Sequence, residues 1–318
     1  MTNFSLLETR AEFLQAASRV LVGPTDNLDL CLLALIVGGH VLLEGYPGTA
    51  KTLLAKTLAR LTAGRFARVQ FTPDLLPADI VGTVIYNQAQ AAFEVRPGPV
   101  FTDVLLADEI NRSPAKTQAA LLEAMEERQV TLDGRARPLG DRFTVLATQN
   151  PIELEGTFPL PEAELDRFLM KIEVGYLGPD GELQLARMVD QGFDAHMAEA
   201  ALGDPVITPE VLSALRSEVA RVRISDEVMG YLTAVVQATR QAPELAVGAS
   251  SRATVALVRL AKARAASLGR DYVEPEDVKE LCLPVLRHRV QRRPEVEMQG
   301  LGEPEVVERV LGRVPVPR

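Results

Sequence analysis

The sequence predicts an α/β fold, in which a five-stranded parallel sheet is followed by a helical domain. Short apolar runs alternate with helical patterns as far as Gly175, which is typical of a parallel sheet with helices on both faces. After Gly175 the β-branched runs stop, and stretches rich in Ala, Leu, Arg and Glu continue to the end of the chain. We therefore expect two domains, over residues 1–175 and 176–318.

Five apolar runs are the strand candidates of the first domain. In chain order they are HVLLEG (40–45), ARVQF (67–71), DVLLADE (103–109), RFTVLAT (142–148) and RFLMKIEV (167–174). Between them, TLLAKTLARL and SPAKTQAALLEAMEERQ carry apolar residues at helical spacing, and Ser113 before Pro114 predicts an N-cap. Residues 82–101 and 130–143 are predicted hairpins, the second with a turn at Asp133-Gly134.

The second domain is predicted from three long helical patterns. They are DEVMGYLTAVVQATRQ, SRATVALVRLAKARAASLG and EPEDVKELCLPVLRHRV, with Gly248 and Gly269 among the loop signals between them. The basic run RHRVQRRP (287–294) is typical of a solvated helix end, although it could also contact an acidic partner. The last stretch, GLGEPEVVERVLGRVPVPR, predicts a loosely held tail.

Composition and charge narrow the classes of function. The chain has 318 residues, of which 47% are hydrophobic and 24% charged, so we expect folded structure nearly throughout. The net charge of −9 gives no broad attraction for a polyanion, and nucleic acid is not an expected partner. The longest uncharged apolar stretch, Leu30 to Leu43, is shorter than the ~20 residues of a membrane span. Cys31 and Cys282 match no metal or redox spacing, and no secretory signal pattern opens the sequence, so we expect a cytoplasmic protein.

The segment GYPGTAKT, Gly45 to Thr52, lies between a predicted strand and a predicted helix. It nearly fits the phosphate-binding pattern Gly-x-x-x-x-Gly-Lys-Thr, but Ala50 stands in place of the second glycine. Backbone N–H groups and the positive helix end would bind phosphate, Lys51 would reach the β- and γ-phosphates, and the Thr52 hydroxyl would ligate Mg²⁺. The alternative is a plain strand-to-helix turn with a surface lysine.

Polar residues at the ends of later strands point to the same edge of the sheet. Asp108 would hold the metal and Glu109 would orient or polarise the attacking water. Asn150, after the next strand, could hydrogen-bond the water or the γ-phosphate, or simply start a turn. Arg167 in LPEAELDRF could be an arginine finger donated across a subunit boundary, or an ordinary salt-bridge residue.

Four collinear segments are similar to the MoxR family of AAA+ ATPases, over residues from about 20 to 290. The segments are GYPGTAKT, VLLADEINRSPAKTQAALLEAMEERQVTLDG, ATQNPIELEGTFPLPEAELDRF and GASSRA. The resemblance implies an AAA+ αβα core with sheet order 5-1-4-3-2, a helical lid, and assembly into a ring, commonly a hexamer. It also implies a chaperone-like role in remodelling, maturing or metal-loading partner proteins, often ones with a von Willebrand factor A domain.

The resemblance also assigns roles to individual residues. Lys51 and Thr52 become the Walker A pair, Asp108 and Glu109 form Walker B, and Asn150 is sensor 1. Arg167 becomes the arginine finger and Arg252 becomes sensor 2, a lid residue that reaches the γ-phosphate. Val22 and Gly23 match the segment that borders adenine, where Pro24 departs from the family's frequent Gln. The nucleotide loop then comprises Gly45, Tyr46, Pro47, Gly48, Thr49, Ala50, Lys51, Thr52 and Leu53.

The leading hypothesis is an ATPase that uses Mg²⁺ and ATP, hydrolyses ATP at the subunit interfaces of a ring, and acts as a chaperone. A second enzyme hypothesis is the motor subunit of a metal-chelatase-type complex, whose relatives share the inserted hairpins. A DNA-translocating helicase is disfavoured by the acidic charge balance. A scaffold that binds ATP without turnover is disfavoured by Glu109, and a simple kinase by the sensor and finger candidates. The two hairpins could line a ring pore or be ordinary surface structure.

Overall fold

The computed structural model describes residues 4–151, 156–195 and 197–317 of the protein. Residues 1–3, 196 and 318 lie outside this description. Residues 152–155, within the segment ATQNPIELEGTFPLPEAELDRF, also lie outside it.

The strands of the described residues form one central sheet and three two-stranded sheets. In chain order the strands are β1 (Val41–Gly45), β2 (Phe66–Gln70), β3 (Gly82–Asn87), β4 (Ala92–Pro97), β5 (Val104–Asp108), β6 (Gln129–Leu132), β7 (Arg135–Pro138), β8 (Thr144–Gln149), β9 (Met170–Val174), β10 (Leu245–Val247) and β11 (Gln291–Arg292). The central sheet has the order β2-β5-β8-β1-β9, and every neighbouring pair in it is parallel. Counted by chain position, this is the predicted order 5-1-4-3-2, which is therefore confirmed.

The helices cover both faces of this sheet and continue into a helical lid. They are α1 (Leu6–Ala17), α2 (Asp26–Ile36), α3 (Lys51–Leu61), α4 (Pro77–Val81), α5 (Ala115–Glu127), α6 (Glu162–Leu165), α7 (Pro179–Asp190), α8 (Ala198–Ala201), α9 (Pro209–Arg221), α10 (Asp226–Gln241), α11 (Ser251–Ser267), α12 (Pro275–Leu286), α13 (Pro294–Met298) and α14 (Glu303–Gly312). The predicted α/β core with a helical lid is confirmed, and the lid also contains the short β10–β11 pair. No described helix has the length and apolar character needed to cross a membrane.

Two apolar cores, one on each face, hold the sheet in place. Because successive side chains of a strand point to opposite faces, Val41 and Leu43 of β1 join one core while Leu42 joins the other. The first core continues through α1, α2 and α3 into α9–α12, so sheet and lid share it. The second lies under α5 and the predicted hairpins β3–β4 and β6–β7. The predicted turn at Asp133-Gly134 has both residues at positive φ, 53° and 69°.

Three local predictions are wrong. Ser113 is not the N-cap of α5, because Pro114 occupies that position and the Ser113 hydroxyl lies 3.5 Å from the carbonyl oxygen of Ile110. The C-terminal stretch is not a loose tail, since α14 buries apolar side chains against α10 and α12. The run 287–294 is not a solvated helix end, because His288 and Arg289 within it are buried.

Candidate functional site

The loop between β1 and α3 has the backbone of a phosphate cradle. Gly48 and Ala50 both adopt positive φ, 81° and 58°, which turns the chain sharply before the helix begins at Lys51. A Cβ added to Gly48 would meet no atom within 4 Å, so this side of the loop is open. No side chain caps the first turn of α3 at its N-cap, Ala50. The first N–H groups of α3 can therefore bind an anion, as helix N-termini do.

Lys51 lies across this loop. Its Nζ donates to the carbonyl oxygens of Gly45 (2.8 Å) and Tyr46 (2.7 Å) and to Thr49 Oγ1 (3.2 Å). Partial burial lowers the pKa of Lys51, while the charges of Asp108 and Glu109 act in the opposite direction. The ammonium group is thus held at the mouth of the loop, close to both carboxylates.

The Walker B candidates lie at the end of β5, where Asp108 is the last residue of the strand and Glu109 comes next. Thr148 Oγ1, on the neighbouring strand β8, donates to Asp108 Oδ1 (2.6 Å) and accepts the backbone N–H of Glu109 (2.8 Å). Glu109 has φ 56°, a left-handed conformation that costs a non-glycine residue roughly 1–2 kcal/mol and is typical of functional sites. Its Oε2 accepts from Gln70 Nε2 (2.6 Å) and Arg112 Nη1 (3.0 Å). The threonine hydroxyl thereby fixes both acidic residues to β8.

An open cleft of about 480 Å³ joins these parts at the carboxyl ends of the strands. The predicted residues that line it are Gly45, Pro47, Gly48, Thr49, Ala50, Lys51, Thr52, Leu53, Asp108, Glu109 and Asn150. Sequence reasoning missed five further lining residues, which are Lys56, Arg68, Thr148, Gln149 and Ala195.

Arg68, like Thr148, is a missed residue in direct contact with Asp108. Its Nη2 donates to Asp108 Oδ2 over 2.6 Å. Arg68 and Gln70 lie on one face of β2, and Gln70 is opposite Asp108 in the sheet register. A signal was present in the sequence, because the alternation Arg-Val-Gln puts both polar side chains on the same side of a strand that neighbours the acidic pair.

The cleft also fits the expected metal. Thr52 and Asp108 both line it, and their hydroxyl and carboxylate oxygens are ligands that Mg²⁺ uses together with substrate phosphates. Within the described ranges, no group of three or more His, Cys, Asp or Glu residues could hold a metal ion by itself.

The predicted adenine segment and Tyr46 lie outside the lining of this cleft. The Tyr46 ring stacks on Tyr176, just after β9, with ring centroids 4.9 Å apart and planes 4° apart. Gly23 has φ 90°, a backbone conformation that strains a residue with a Cβ, and a Cβ there would come within 2.8 Å of Leu177 Cδ2. Gly23 therefore lies beside Leu177, the residue next to the Tyr176 that stacks on the nucleotide loop.

Arg167 and Arg252 do not line the cleft of their own chain; they meet on α5. Glu126 Oε2 lies 3.7 Å from Arg167 Nε, and Glu126 Oε1 accepts from Arg252 Nη2 over 2.6 Å. Both arginine side chains are partly exposed, by 31% and 44%. The structure thus brings the predicted finger and the predicted sensor 2 together, on one carboxylate.

Comparisons with known proteins agree with this architecture. Residues 40–170 match the model of the ATPase family associated with various cellular activities (AAA), and residues 237–310 match the AAA lid domain. The chain is 43% identical to "Chaperone MoxR1" of Mycobacterium tuberculosis, over 94% of this chain and 80% of that protein. It is 32% identical to "Protein MoxR" of Methylorubrum extorquens, over 98% and 96% of the two chains. A crystal structure of a candidate ATPase from Cytophaga hutchinsonii superimposes with a TM-score of 0.90 at 42% identity, covering 98% of this chain and 96% of that one.

Proposed function

Since this chain belongs to the MoxR-like AAA+ ATPases, we propose that it hydrolyses ATP at the subunit interfaces of a ring and uses the energy to remodel a partner protein. One observation carries the subunit-interface part of the proposal. Arg167 and Arg252 lie together on Glu126, and neither lines the cleft that holds Lys51 and Asp108 in the same chain. A neighbouring subunit would therefore supply both arginines.

Each residue of the cleft then has a defined task. The loop N–H groups and Lys51 bind the phosphates. Thr52 and Asp108 would hold Mg²⁺, which would supply positive charge beside the phosphates. Glu109 orients the attacking water and accepts its proton, and Asn150 holds the water or the γ-phosphate by an uncharged amide. The neighbour's Arg167 and Arg252 stabilise the charge that develops on the transferred phosphoryl group.

The β3–β4 hairpin favours a protein as the client on which the ATPase acts. Tyr86 and Phe93 face each other across it, with ring centroids 5.2 Å apart, and both are exposed, Phe93 by 74%. Exposed aromatic side chains at the tip of an element are typical of protein contact sites. We propose that this hairpin contacts the client, and that the client is a protein with a von Willebrand factor A domain.

The test combines two cleft variants with a subunit-mixing experiment. Lys51→Ala should lose ATP binding, while Glu109→Gln should keep it and release phosphate at least about 100-fold more slowly. Arg167→Ala should also be inactive alone. When Arg167→Ala and Lys51→Ala subunits are mixed, some interfaces combine an intact loop with an intact arginine, so phosphate release should partly return.

Two results would contradict the proposal. Unchanged phosphate release in both Lys51→Ala and Glu109→Gln would exclude the assigned cleft. No recovery on mixing, at ratios where both subunits enter one assembly, would show that Arg167 does not act on a neighbour.

A further inference from the structure

A buried arginine of the lid holds the segment that carries Arg167. Arg289 lies just beyond α12, and its side chain is only 2% exposed. Its Nε donates to Asp166 Oδ1 (2.8 Å), and Nη2 donates to the carbonyl oxygens of Asp166 (3.2 Å) and Phe168. Nη1 donates to the carbonyl oxygens of Leu169 (3.0 Å) and Val285 (2.6 Å). All five N–H groups of the guanidinium are thus used.

The acceptors of Arg289 lie on both sides of Arg167. Four of the five belong to residues 166, 168 and 169, and the fifth belongs to Val285 in α12. Arg167 itself is not contacted by Arg289; its side chain leaves this segment towards Glu126. Arg289 therefore fixes the backbone from which Arg167 projects.

The same segment is tied to the start of α11. Asp166 Oδ2 accepts from Ser250 Oγ over 2.8 Å, and Ser250 is the N-cap of the helix that carries Arg252. Asp166 consequently links Arg289 to Ser250 in the way that Glu126 links Arg167 to Arg252. Together, the two links fix the positions of Arg167 and Arg252 relative to each other. These are the two arginines that the cleft of a neighbouring subunit needs.

We propose that Arg289 is a positioning residue for hydrolysis in the neighbouring subunit, acting through Arg167 without touching ATP. This inference rests on the proposed function, because it requires Arg167 to act across a subunit boundary. Arg289→Lys would keep the positive charge, but an ammonium group cannot replace the five N–H donors of a planar guanidinium. The geometry of residues 166–169 would then relax, and an error of about 1 Å in a catalytic group can cost roughly 100-fold in rate.

The experiment measures ATP binding and turnover of Arg289→Lys and Arg289→Met in the assembled protein. Both variants should bind a fluorescent ATP analogue within about twofold of the wild type, since Arg289 is not among the residues that line the nucleotide cleft. The kcat should fall by roughly 10- to 100-fold, with little change in KM. Mixing either variant with Lys51→Ala should partly restore turnover, as for Arg167→Ala.

Arg292→Lys is the matched control. Arg292 belongs to the same basic run, but its side chain binds Glu297, Glu303 and the carbonyl oxygen of Leu301 instead of the segment 166–169. Its kcat should stay within about twofold of the wild type. A wild-type kcat in both Arg289 variants would overturn the inference.

Mixing separates failure of this inference from failure of the proposed function. If Arg167→Ala recovers with Lys51→Ala but the Arg289 variants do not, Arg289 acts on its own subunit and the inference is wrong. If Arg167→Ala does not recover either, the interface proposal fails and the inference fails with it. If both Arg289 variants unfold, Asp166→Asn replaces them in the experiment. Asparagine has the size of aspartate and keeps one side-chain oxygen as a hydrogen-bond acceptor. Asp166→Asn should lower kcat in the same way, and an unchanged kcat would overturn the inference.

Discussion

At the scale of single residues, Ala50 shows how far a motif predicts a conformation. The sequence pattern calls for glycine there, and the structure gives Ala50 the left-handed backbone, φ 58°, that glycine would adopt easily. The methyl group therefore does not prevent the loop from forming, although the left-handed conformation costs an L-residue roughly 1–2 kcal/mol. The cradle is already in place with alanine.

We expect Ala50→Gly to stabilise the fold without a large change in nucleotide binding. The substitution relieves the left-handed strain but also adds conformational entropy to the unfolded chain. The net effect should raise the free energy of unfolding by about 0.5–1 kcal/mol. ATP affinity should change by less than about threefold, or ~0.7 kcal/mol, because the backbone conformation is the same. Denaturant unfolding and equilibrium binding of ATP measure the two quantities.

Ala91→Gly is the control, because Ala91 also has a left-handed backbone, φ 48°, but lies in the turn of the β3–β4 hairpin. Ala91→Gly should raise the free energy of unfolding by a similar amount and leave ATP affinity unchanged. A loss of stability in Ala50→Gly would show that the alanine conformation is not strained.

Most of the residues that line the cleft could be named from the sequence, but the links that position them could not. Lys51, Asp108 and Asn150 each lie at or beyond the end of a strand, and polar residues at the ends of parallel strands must meet at one edge. The roles of Thr148 and Glu126 could not be predicted, because a threonine inside a strand and a glutamate near the end of a helix are common in any sequence. Their roles come from neighbours 40 or more positions away, such as Asp108 for Thr148 and Arg252 for Glu126.

At the scale of elements, the strands of the central sheet were predictable, whereas helices α2 and α14 were not. The three inner strands of the central sheet, β5, β8 and β1, are buried on both faces, so their apolar runs are nearly continuous. Helix α2 has the same apolar character, because it too is buried on most sides, and it lacks the one-sided pattern that predicts a helix. Helix α14 was missed because proline and glycine surround it, although its valines have helical spacing.

Helix α14 offers a test at this scale. Val306 is fully buried between α14 and the rest of the lid, whereas Val316 is 42% exposed. Val306→Ala should lower the free energy of unfolding by about 2 kcal/mol through lost burial and the cavity left behind. The same change at Val316 should have an effect within about 0.5 kcal/mol. Equal effects at both positions, measured by denaturant unfolding, would mean that α14 does not pack in solution.

At the scale of the whole molecule, buried histidines connect stability to pH. His40, at the start of β1, accepts the N–H of Val145 at Nδ1 (3.0 Å) and lies 3.2 Å from the carbonyl oxygen of Met125 at Nε2. Burial, and next the charge of Arg128, lower the pKa of His40 from 6.5 to about 3. Burial also lowers the pKa of His288, which lies 3.1 Å from the carbonyl oxygen of Phe168.

These shifts predict acid sensitivity with a defined sign. Above pH 6.5 both histidines are neutral in the folded and the unfolded chain, so they add no pH dependence. Below pH 6.5 only the unfolded chain takes up the protons, and His40 alone lowers the free energy of unfolding by roughly 1.4 kcal/mol per pH unit down to its folded pKa of about 3. His40→Gln should therefore be less stable at pH 7 but show a shallower slope between pH 6 and pH 4. Denaturant unfolding at each pH measures this slope, and equal slopes in both proteins would contradict the assignment.

The cleft beside Glu126 has an electrostatic consequence for assembly. Five arginines line it, against two carboxylates, in a chain whose net charge is −9. The arginines are Arg128, Arg167, Arg252, Arg259 and Arg289, and the carboxylates are Glu126 and Asp166. Such a concentrated excess attracts anions over about the 8–10 Å that physiological salt allows. In the proposed ring, a neighbour carrying ATP would present its phosphates to this face. The nucleotide would then speed the association of the two subunits before any contact forms, and added salt would slow it.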